Sequence, residues 1–281
     1  MLLHLLWQLA GRFSWQLSAL HVHHGISPNA NAWADFCSDI CNQYRIPFHL
    51  RHVEIAPLLE HGVEAAARKL RHQAFSAHRC DFVALAHHAD DQAETMLLQL
   101  LRGSGVRGAA SMPVLTRHGT GPVYIRPLLH QSRSEILSYA VEQGLEWIND
   151  ESNADDYFPR NYLRHRVLPV LEKKFPAYRE TLTRGAQHFA EASQLLDELA
   201  QLDGEGAMER DSLRLASLRQ LSHSRAKNLL RYFLHRQGVP MPQLNLLNEM
   251  LRQLCDARRD ASVDVQAGEF HIRRYMNSVY A

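Results

Sequence analysis

The sequence contains little cysteine and no paired cysteine motif. Its 281 residues include four cysteines, at positions 37, 41, 80 and 255, and no two of them form a C-x-x-C pair. This spacing excludes the dense disulfide framework of small secreted domains and favours a reducing compartment. We therefore predict a cytoplasmic location.

The chain also lacks an excess of charge of either sign. Its 31 Lys and Arg residues are balanced by 30 Asp and Glu residues, and the formal net charge is +1. This balance excludes a strongly basic surface over the whole molecule. Any nucleic-acid site must therefore be a local patch.

Long hydrophobic runs are absent as well. The leucine-rich stretch at the N-terminus is interrupted by His4, Gln8 and Arg12. It is too short and too polar for a membrane span, and it lacks the basic region with which a signal peptide begins. We therefore expect no membrane partner.

The first half of the chain shows a regular alternation of strand-like and helix-like segments. The patterns predict helices over 1–13, 28–44, 63–78, 90–102 and 132–143, and strands over 17–23, 47–55 and 82–86. Such alternation predicts an α/β domain with a mostly parallel sheet. From about Pro176 the pattern is mostly helical. We therefore predict domains over 1–174 and 175–281, the second smaller and mainly helical.

A highly charged segment, LAHHADDQAET, occupies residues 85–95, where a predicted strand turns into a helix. Glu94 lies four residues after Asp90 and three after Asp91, so it can share a helix face with these acids. Because ligands bind at the carboxyl ends of strands in open parallel sheets, these acids and the neighbouring His87 and His88 predict a functional site. The alternative interpretation is that the acids only cap and solubilise the helix.

Histidines also end the first predicted strand, in ALHVHHGIS at residues 19–27. His21 and His23 point to one side if the strand continues that far, which favours a phosphate site or a metal site. On the third predicted helix, Arg68 and Arg71 form a cationic pair suited to phosphate or carboxylate. Each residue taken singly also fits an ordinary solvated side chain.

Taken in order, these motifs resemble those of a known family. They are HVHHGIS, AARKLRHQAF, HHADDQAET, RGSGVRGAASM, IRPLL, NDESN and RNYLRHRVLPVL, over about residues 19–171. The set is similar to that of the tRNA(Ile)-lysidine synthases, which are N-type ATP pyrophosphatases with a PP-loop. The resemblance implies a Rossmann-like first domain of the adenine nucleotide alpha hydrolase type. The segment RRYMNSVY near the end resembles that family's next domain.

The resemblance implies an ATP-dependent modification of RNA. Such enzymes adenylate the wobble cytidine in the CAU anticodon of tRNA(Ile) and release pyrophosphate. The ε-amine of free L-lysine then displaces AMP, and lysidine remains. This chemistry needs cations and usually Mg2+ at the phosphates, and a carboxylate that handles the lysine ammonium or its proton. The roles implied are catalysis by Arg71, Asp91 and Glu94, ATP binding by His21, His24 and Arg68, and lysine binding by Asp90, Asp91 and Glu94.

One feature of that family is missing. Its members begin with a strand and a Ser-Gly-Gly-x-Asp-Ser loop whose backbone amides hold the ATP phosphates. No such loop occurs in this sequence. Since the missing strand belongs in the middle of the sheet, we expect open strand edges and a chain shortened at its N-terminus. We also expect the chain to end before the family's last domain, and to bind ATP and catalyse poorly.

Two groups of polar and basic residues are candidates for contacts with the tRNA backbone. The first group comprises Arg160, Asn161, Arg164 and Arg166, and the second comprises Arg225, Lys227 and Arg231. The simpler interpretation is that these cations are merely solvated. Assembly into a homodimer is left open.

Three alternative functions also remain open. A metal-dependent hydrolase would use His21, His23, His87 or His88 together with Asp90 or Asp91. A related ATP-dependent tRNA thiolase would need a reactive cysteine pair, whereas Cys37 and Cys41 lie on the apolar stripe of a predicted helix. A noncatalytic RNA-binding protein would result if the missing loop abolished catalysis.

Overall fold

The computed structural model describes residues 1–55, 62–117, 119, 121–258 and 261–281. The chain divides into two compact units, Met1–Ala186 and Gln187–Ala281. The division falls inside a long helix, α9 (Tyr178–Asp203), rather than in a loop. The domain boundary predicted at 174/175 lies just before this helix and stays a prediction.

The first unit alternates helices and strands, as the sequence predicts. Its elements are α1 (Leu2–Phe13), β1 (Ala19–His23), α2 (Ala30–Gln43), β2 (Phe48–His52), α3 (Val63–Ala77), β3 (Phe82–Ala84), α4 (Ala89–Leu101), α5 (Val106–Ala109), β4 (Leu115–Arg117), β5 (Val123–Ile125), α6 (Arg133–Glu142), α7 (Pro159–Tyr162) and α8 (Leu168–Lys174). A 3-10 turn covers Glu151–Ala154 and a π-helical turn covers Leu163–Val167.

Local capping explains where several of these helices begin. Ser132 caps α6, since its hydroxyl accepts the Glu135 amide at 3.2 Å while the Glu135 carboxylate accepts the Ser132 amide at 2.7 Å. This reciprocal capping box satisfies two backbone donors that a helix start leaves free. The helix predicted from Pro28 begins instead at Ala30, because the Ser27 hydroxyl accepts the Asn29 amide at 3.0 Å and forms a turn before the helix.

The strands of the first unit form two separate sheets. β1 pairs with β2 in parallel, and β3 pairs with β5 in parallel, while β4 joins β5 on its other side and runs antiparallel. The mostly parallel character agrees with the prediction. Within the described residues, one edge of β1 and one edge of β3 carry no partner strand.

The second unit combines helices with a four-stranded antiparallel sheet. After α9 come β6 (Ser212–Arg214), α10 (Leu215–Gln220), α11 (His223–Arg236), α12 (Leu244–Asp256), β7 (Val263–Ala267), β8 (Phe270–Tyr275) and β9 (Ser278–Tyr280), with strand order β6-β9-β8-β7. Its core contains fully buried Leu229, Phe233 and Leu247 from the helices together with Ile272 and Val279 from the sheet. The sequence pattern predicts a mainly helical domain here, and the four strands are a finding of the structure.

None of the helices in the described ranges is both long enough and apolar enough to cross a membrane.

Candidate functional site

The charged segment predicted from the sequence forms the start of α4, directly after β3. His88 and Asp91 form a capping box, in which the Asp91 carboxylate accepts the His88 amide at 3.0 Å and His88 Nδ1 accepts the Asp91 amide at 3.4 Å. Capping, the simpler interpretation of these acids, is therefore part of what Asp91 does. It leaves Asp91 Oδ1 facing away from the helix end, toward two arginines.

Glu94 is completely buried and is held by both of those arginines. It is 0% exposed, and its carboxylate accepts hydrogen bonds from Arg160 Nε at 2.7 Å and from Arg164 Nε at 2.7 Å. Asp91 Oδ1 lies 3.4 Å from Arg160 Nη2 and 3.3 Å from Arg164 Nη2. The two guanidinium groups thus bridge the two carboxylates, and burial of the charges is compensated by these hydrogen bonds.

Asp90 is bound by different partners on the same helix turn. Its carboxylate accepts the Arg133 amide at 2.8 Å and Arg179 Nε at 2.6 Å. Burial opposes ionisation of Asp90, but hydrogen bonds from His88, Arg133 and Arg179 outweigh it and hold the pKa of Asp90 well below its usual range. We refer to Asp90, Asp91, Glu94, Arg160, Arg164 and Arg179 as the acid–arginine cluster.

The local fold explains why two arginines reach Glu94 together. Arg160 and Arg164 are four residues apart where α7 continues into the π-helical turn, so they project from one face. Between them, the buried Asn161 amide donates to the carbonyls of Ser152 and Asp155, each at 2.9 Å. Single π turns inside helices are frequent at functional sites.

A cavity of about 470 Å³ adjoins the acid–arginine cluster. Its lining includes Asp90 and Glu172 beside the cationic Arg133, Arg164 and Arg179. Glu172 also accepts a hydrogen bond from Arg179 Nη1 at 2.7 Å. A cavity lined by both signs of charge suits a zwitterionic ligand such as a free amino acid, which carries an ammonium and a carboxylate.

His24, directly after β1, lies near Arg71 of α3. Burial lowers the pKa of His24, and the charge of Arg71 lowers it further. Burial also lowers the pKa of His21, with smaller effects from His23 and His52. His24 and Arg71 are therefore close enough to interact electrostatically, and their assignment to one site stays a prediction.

The histidine after β3 joins this group to the acid–arginine cluster. Burial lowers the pKa of His87 to about 4; Asp91 opposes the shift, whereas the positive charges of Arg126, Arg160 and Arg68 add to it. His87 thus lies within electrostatic range of Arg68 on α3 and of Asp91 on α4. His87 follows β3, so these interactions connect the carboxyl end of β3 with α3 and with the start of α4.

The remaining predicted tRNA-binding residues are dispersed. Arg166 donates to Asp156 at 2.6 Å, and Lys227 lies 3.4 Å from Asn248 Oδ1. Arg225 forms an ion pair with Asp203, with Nε at 3.1 Å from the carboxylate. Arg231 is half-buried on α11. Arg160 and Arg164 are engaged by Glu94, so tRNA contacts by these two residues stay a prediction.

The alternative functions receive little support from the described residues. Among them, no three His, Cys, Asp or Glu side chains are grouped so as to hold a metal ion, as the hydrolase would require. Burial raises the pKa of Cys37 and, with Cys37 as a second cause, the pKa of Cys41, which opposes the reactive thiolates of a thiolase. Both cysteines are free thiols on α2.

Several residues of the site were not singled out in the sequence. They are Arg126, Arg133, Glu172 and Arg179, of which Arg126 lies in the quoted motif IRPLL. Arg179 lies in α9, within the region that the sequence predicts only as mostly helical. Neither its spacing nor its type distinguishes it from other surface arginines, because its partner Asp90 is 89 residues away in the chain.

Comparison with family models agrees with the order of the motifs. Residues 1–171 match the PP-loop domain, and residues 213–280 match the TilS substrate binding domain. The first match covers more than half of the chain and contains all of the acid–arginine cluster except Arg179.

Curated relatives cover nearly the whole chain. A tRNA(Ile)-lysidine synthase from Nitrosomonas europaea is 45% identical over 261 residues, which are 92% of this chain and 57% of the relative. The protein of the same name from Escherichia coli O157:H7 is 39% identical over 267 residues, which are 94% of this chain and 62% of the relative. The chain therefore spans about three fifths of the length of these relatives.

A solved structure supports the fold. The U34-tRNA thiolase NcsA from Methanococcus maripaludis superposes with a TM-score of 0.54 at 20% identity, covering 66% of this chain and 68% of that one. At this identity the likeness concerns the fold alone. From the match over residues 1–171 we conclude that the chain belongs to the PP-loop domain family, and the curated relatives it matches are tRNA(Ile)-lysidine synthases.

Proposed function

We propose that this chain carries the catalytic part of an enzyme that uses ATP to join L-lysine to the wobble cytidine of the CAU anticodon of tRNA(Ile). The observation that carries the proposal is the convergence of cationic and acidic groups at the carboxyl ends of β1 and β3. Arg68, Arg71, His24 and His87 supply positive or polar groups for an ATP phosphate, and the adjoining cavity offers both charge signs to lysine.

The reaction would proceed in two balanced steps. The carbonyl oxygen at position 2 of the cytosine attacks the α-phosphorus of ATP, and pyrophosphate leaves. The neutral ε-amine of lysine then forms a bond to carbon 2, AMP departs with the oxygen, and the amine loses a proton. Asp90 lines the cavity and stays ionised because its pKa is low, so it is suited to binding an ammonium group rather than to accepting that proton.

The contacts of Glu94 support a role other than the substrate contact assigned from the sequence. Glu94 is 0% exposed and its oxygens face Arg160 and Arg164, so it positions those arginines more directly than it contacts a substrate. Mg2+ stays a prediction, and the carboxylates of the cluster do not fit a metal cage by themselves because arginines bind them. The homodimer and the cytoplasmic location likewise stay predictions.

Lysine transfer to a defined RNA tests the proposal. The chain, ATP and radiolabelled L-lysine are incubated with a tRNA(Ile) transcript bearing the CAU anticodon, and label in the RNA is measured by single turnover. We expect slow, ATP-dependent labelling at cytidine 34 and none when that base is replaced by uridine. Equal labelling of both transcripts, or labelling without ATP, contradicts the proposal.

A matched pair of variants tests the site itself. Arg71→Gln should abolish most of the labelling, whereas Arg51→Gln, an exposed arginine of β2, should leave it unchanged. Loss of one charge-assisted contact to a phosphate corresponds to roughly a tenfold or greater decrease in rate. Equal rates for wild type and Arg71→Gln would remove Arg71 from the catalytic group.

A further inference from the structure

Arg126 Nε and His87 Nδ1, at the edge of this site, are buried without a hydrogen-bond partner among the described residues, and His24 Nδ1 is a third such nitrogen. Arg126 is 7% exposed, and its Nη1 donates to the Pro113 carbonyl at 2.8 Å and to the Thr116 hydroxyl at 3.1 Å. One side of the guanidinium thus holds β4, while the Nε side has no protein acceptor. Buried donors are nearly always satisfied, so each exception needs a physical explanation.

Strand register places the two side chains on one face of the sheet. β3 and β5 are parallel, with Ala84 opposite Ile125, and the Leu85 amide donates to the Ile125 carbonyl at 2.8 Å. Arg126 is therefore opposite Leu85. Leu85 and Arg126 each follow directly after their strand. Because side chains alternate between faces along extended backbone, this register places His87, two residues after Leu85, on the face that carries Leu85 and Arg126.

Helix α3 packs on this same face and brings a second arginine. The Ser76 hydroxyl lies 3.1 Å from the Tyr124 hydroxyl, and the rings of His72 and Tyr124 are 5.7 Å apart between centroids. Tyr124 shares its face with Arg126, two residues further along β5. Arg68 precedes His72 by one helical turn, so it lies over the end of the strand that carries Arg126.

The electrostatics agree with this placement. Burial lowers the pKa of Arg126, and the positive charge of Arg68 contributes to the same shift. His87 is affected by both arginines and also by Arg160 and Asp91. Asp91 is the acid whose charge acts on His87, and it is already bridged by Arg160 and Arg164. The group therefore retains positive charge that an anionic ligand would balance.

We propose that Arg126, His87 and Arg68 form an oxyanion-binding subsite, which takes the α-carboxylate of L-lysine or a phosphate group of ATP or pyrophosphate. A ligand oxygen there would accept from Arg126 Nε and from His87 Nδ1 in the tautomer that protonates this nitrogen. The identity of the ligand rests on the proposed function, whereas the anion chemistry rests on the residues alone.

Direct binding to the full chain tests the subsite. Isothermal titration measures the Kd of pyrophosphate, of L-lysine and of 1,5-diaminopentane, which is lysine without its carboxylate. The variants are Arg126→Gln and His87→Ala, with Arg117→Gln, an exposed arginine of β4, as the matched control. We expect both site variants to weaken one anionic ligand by about tenfold or more, with Arg117→Gln unchanged.

The pattern of losses identifies the source of the anion. Weaker pyrophosphate binding with unchanged lysine binding assigns a phosphate group. Weaker lysine binding with unchanged diaminopentane binding assigns the carboxylate. His87→Ala leaves the contacts of Arg126 to β4 intact. If Arg126→Gln does not fold, His87→Ala therefore tests the subsite by itself. Wild-type affinity for both anions in folded His87→Ala, or no anion binding by the wild-type chain at millimolar concentration, overturns the subsite.

Failure of the proposed function gives a different result. If the wild-type chain binds pyrophosphate through Arg126 and His87 but never transfers lysine to cytidine 34, the lysine ligation is wrong and the anion subsite stands. If lysine is transferred at the wild-type rate by His87→Ala with unchanged Kd values, the subsite is wrong and the proposed function stands.

Discussion

At the scale of single residues, Glu94 is the most constrained side chain of the site. Its carboxylate is fully buried and accepts from two guanidinium groups at 2.7 Å each. A carboxylate in this position keeps two cations oriented, and removing its charge leaves them partly unpaired inside the protein. Loss of the Glu94 charge should therefore lower the stability of the fold more clearly than it lowers the reaction rate.

We predict that Glu94→Gln lowers the free energy of unfolding by about 3 kcal/mol or more, because breaking a buried ion pair leaves uncompensated charge. Urea denaturation followed by circular dichroism measures the change. The control is Glu142→Gln at the exposed end of α6, which should change stability by less than about 0.5 kcal/mol. The double variant Glu94→Gln, Arg164→Gln should lose less than the sum of the single changes. An unchanged free energy of unfolding in Glu94→Gln would contradict the pairing of Glu94 with Arg160 and Arg164.

His87 should also produce a pH dependence of stability. Its pKa is about 4 in the folded protein and about 6.5 when unfolded, so the unfolded state binds more protons between these values. Stability should therefore fall as the pH is lowered from 6.5 to 4, and His87→Gln should remove up to about one proton from this dependence. Denaturation at several pH values in this window checks the slope. Identical slopes for the two proteins would refute the prediction.

At the scale of secondary-structure elements, the start of α6 links capping to the site. The Ser132 hydroxyl caps the helix by accepting the Glu135 amide. The amide of Arg133, the residue after Ser132, donates to Asp90 at 2.8 Å. The capped helix end thus presents a backbone donor to an acid of the acid–arginine cluster. Both the helix and the position of Asp90 depend on this local geometry.

We predict that Ser132→Ala destabilises the protein by about 1 kcal/mol, the usual cost of losing an N-cap side chain. Ser132→Thr keeps a hydroxyl in the same position and should recover most of that loss. Thermal denaturation of the three proteins measures the difference. If Ser132→Thr is as unstable as Ser132→Ala, the hydroxyl is not responsible.

At the scale of the whole molecule, the charges are nearly balanced, so the proposed tRNA binding would have to rely on local cations. Arg225 is occupied by Asp203, whereas Arg231 has no ion pair within the part of the chain that the structure describes. The two arginines lie on the same helix, α11, and differ in their availability to phosphate. They form a natural pair for a binding experiment.

We predict that Arg231→Gln weakens binding of the tRNA transcript and reduces the slope of log K against log salt by about 0.7 to 0.9, the value for one phosphate contact. Arg225→Gln should change this slope less, because the ion pair with Asp203 already competes for that guanidinium. Filter binding at several salt concentrations measures both. A larger slope change for Arg225→Gln would reverse the assignment of the contact.

The helices of the first unit follow from local sequence, since propensity and capping act over a few residues. The helices predicted over 63–78, 90–102 and 132–143 are found at Val63–Ala77, Ala89–Leu101 and Arg133–Glu142. The strands β6 to β9 were missed because three of them are only three to five residues long and follow strong helical patterns. In β7 the alternation of Val263, Val265 and Ala267 as buried positions is the signal that was present.

The sequence by itself determined the types of eight elements of the first unit, α1 to α4, β1 to β3 and α6, together with the charged ends of β1 and β3 and the order of motifs that marks the family. Only the tertiary structure decided which charges meet, because Glu94 and its partners Arg160 and Arg164 are separated by 66 and 70 residues. Only the tertiary structure placed Arg126 opposite Leu85, two residues before His87, through the parallel pairing of β3 with β5. Local propensity does not encode such pairings, since they depend on how strands register and on which helix packs over them.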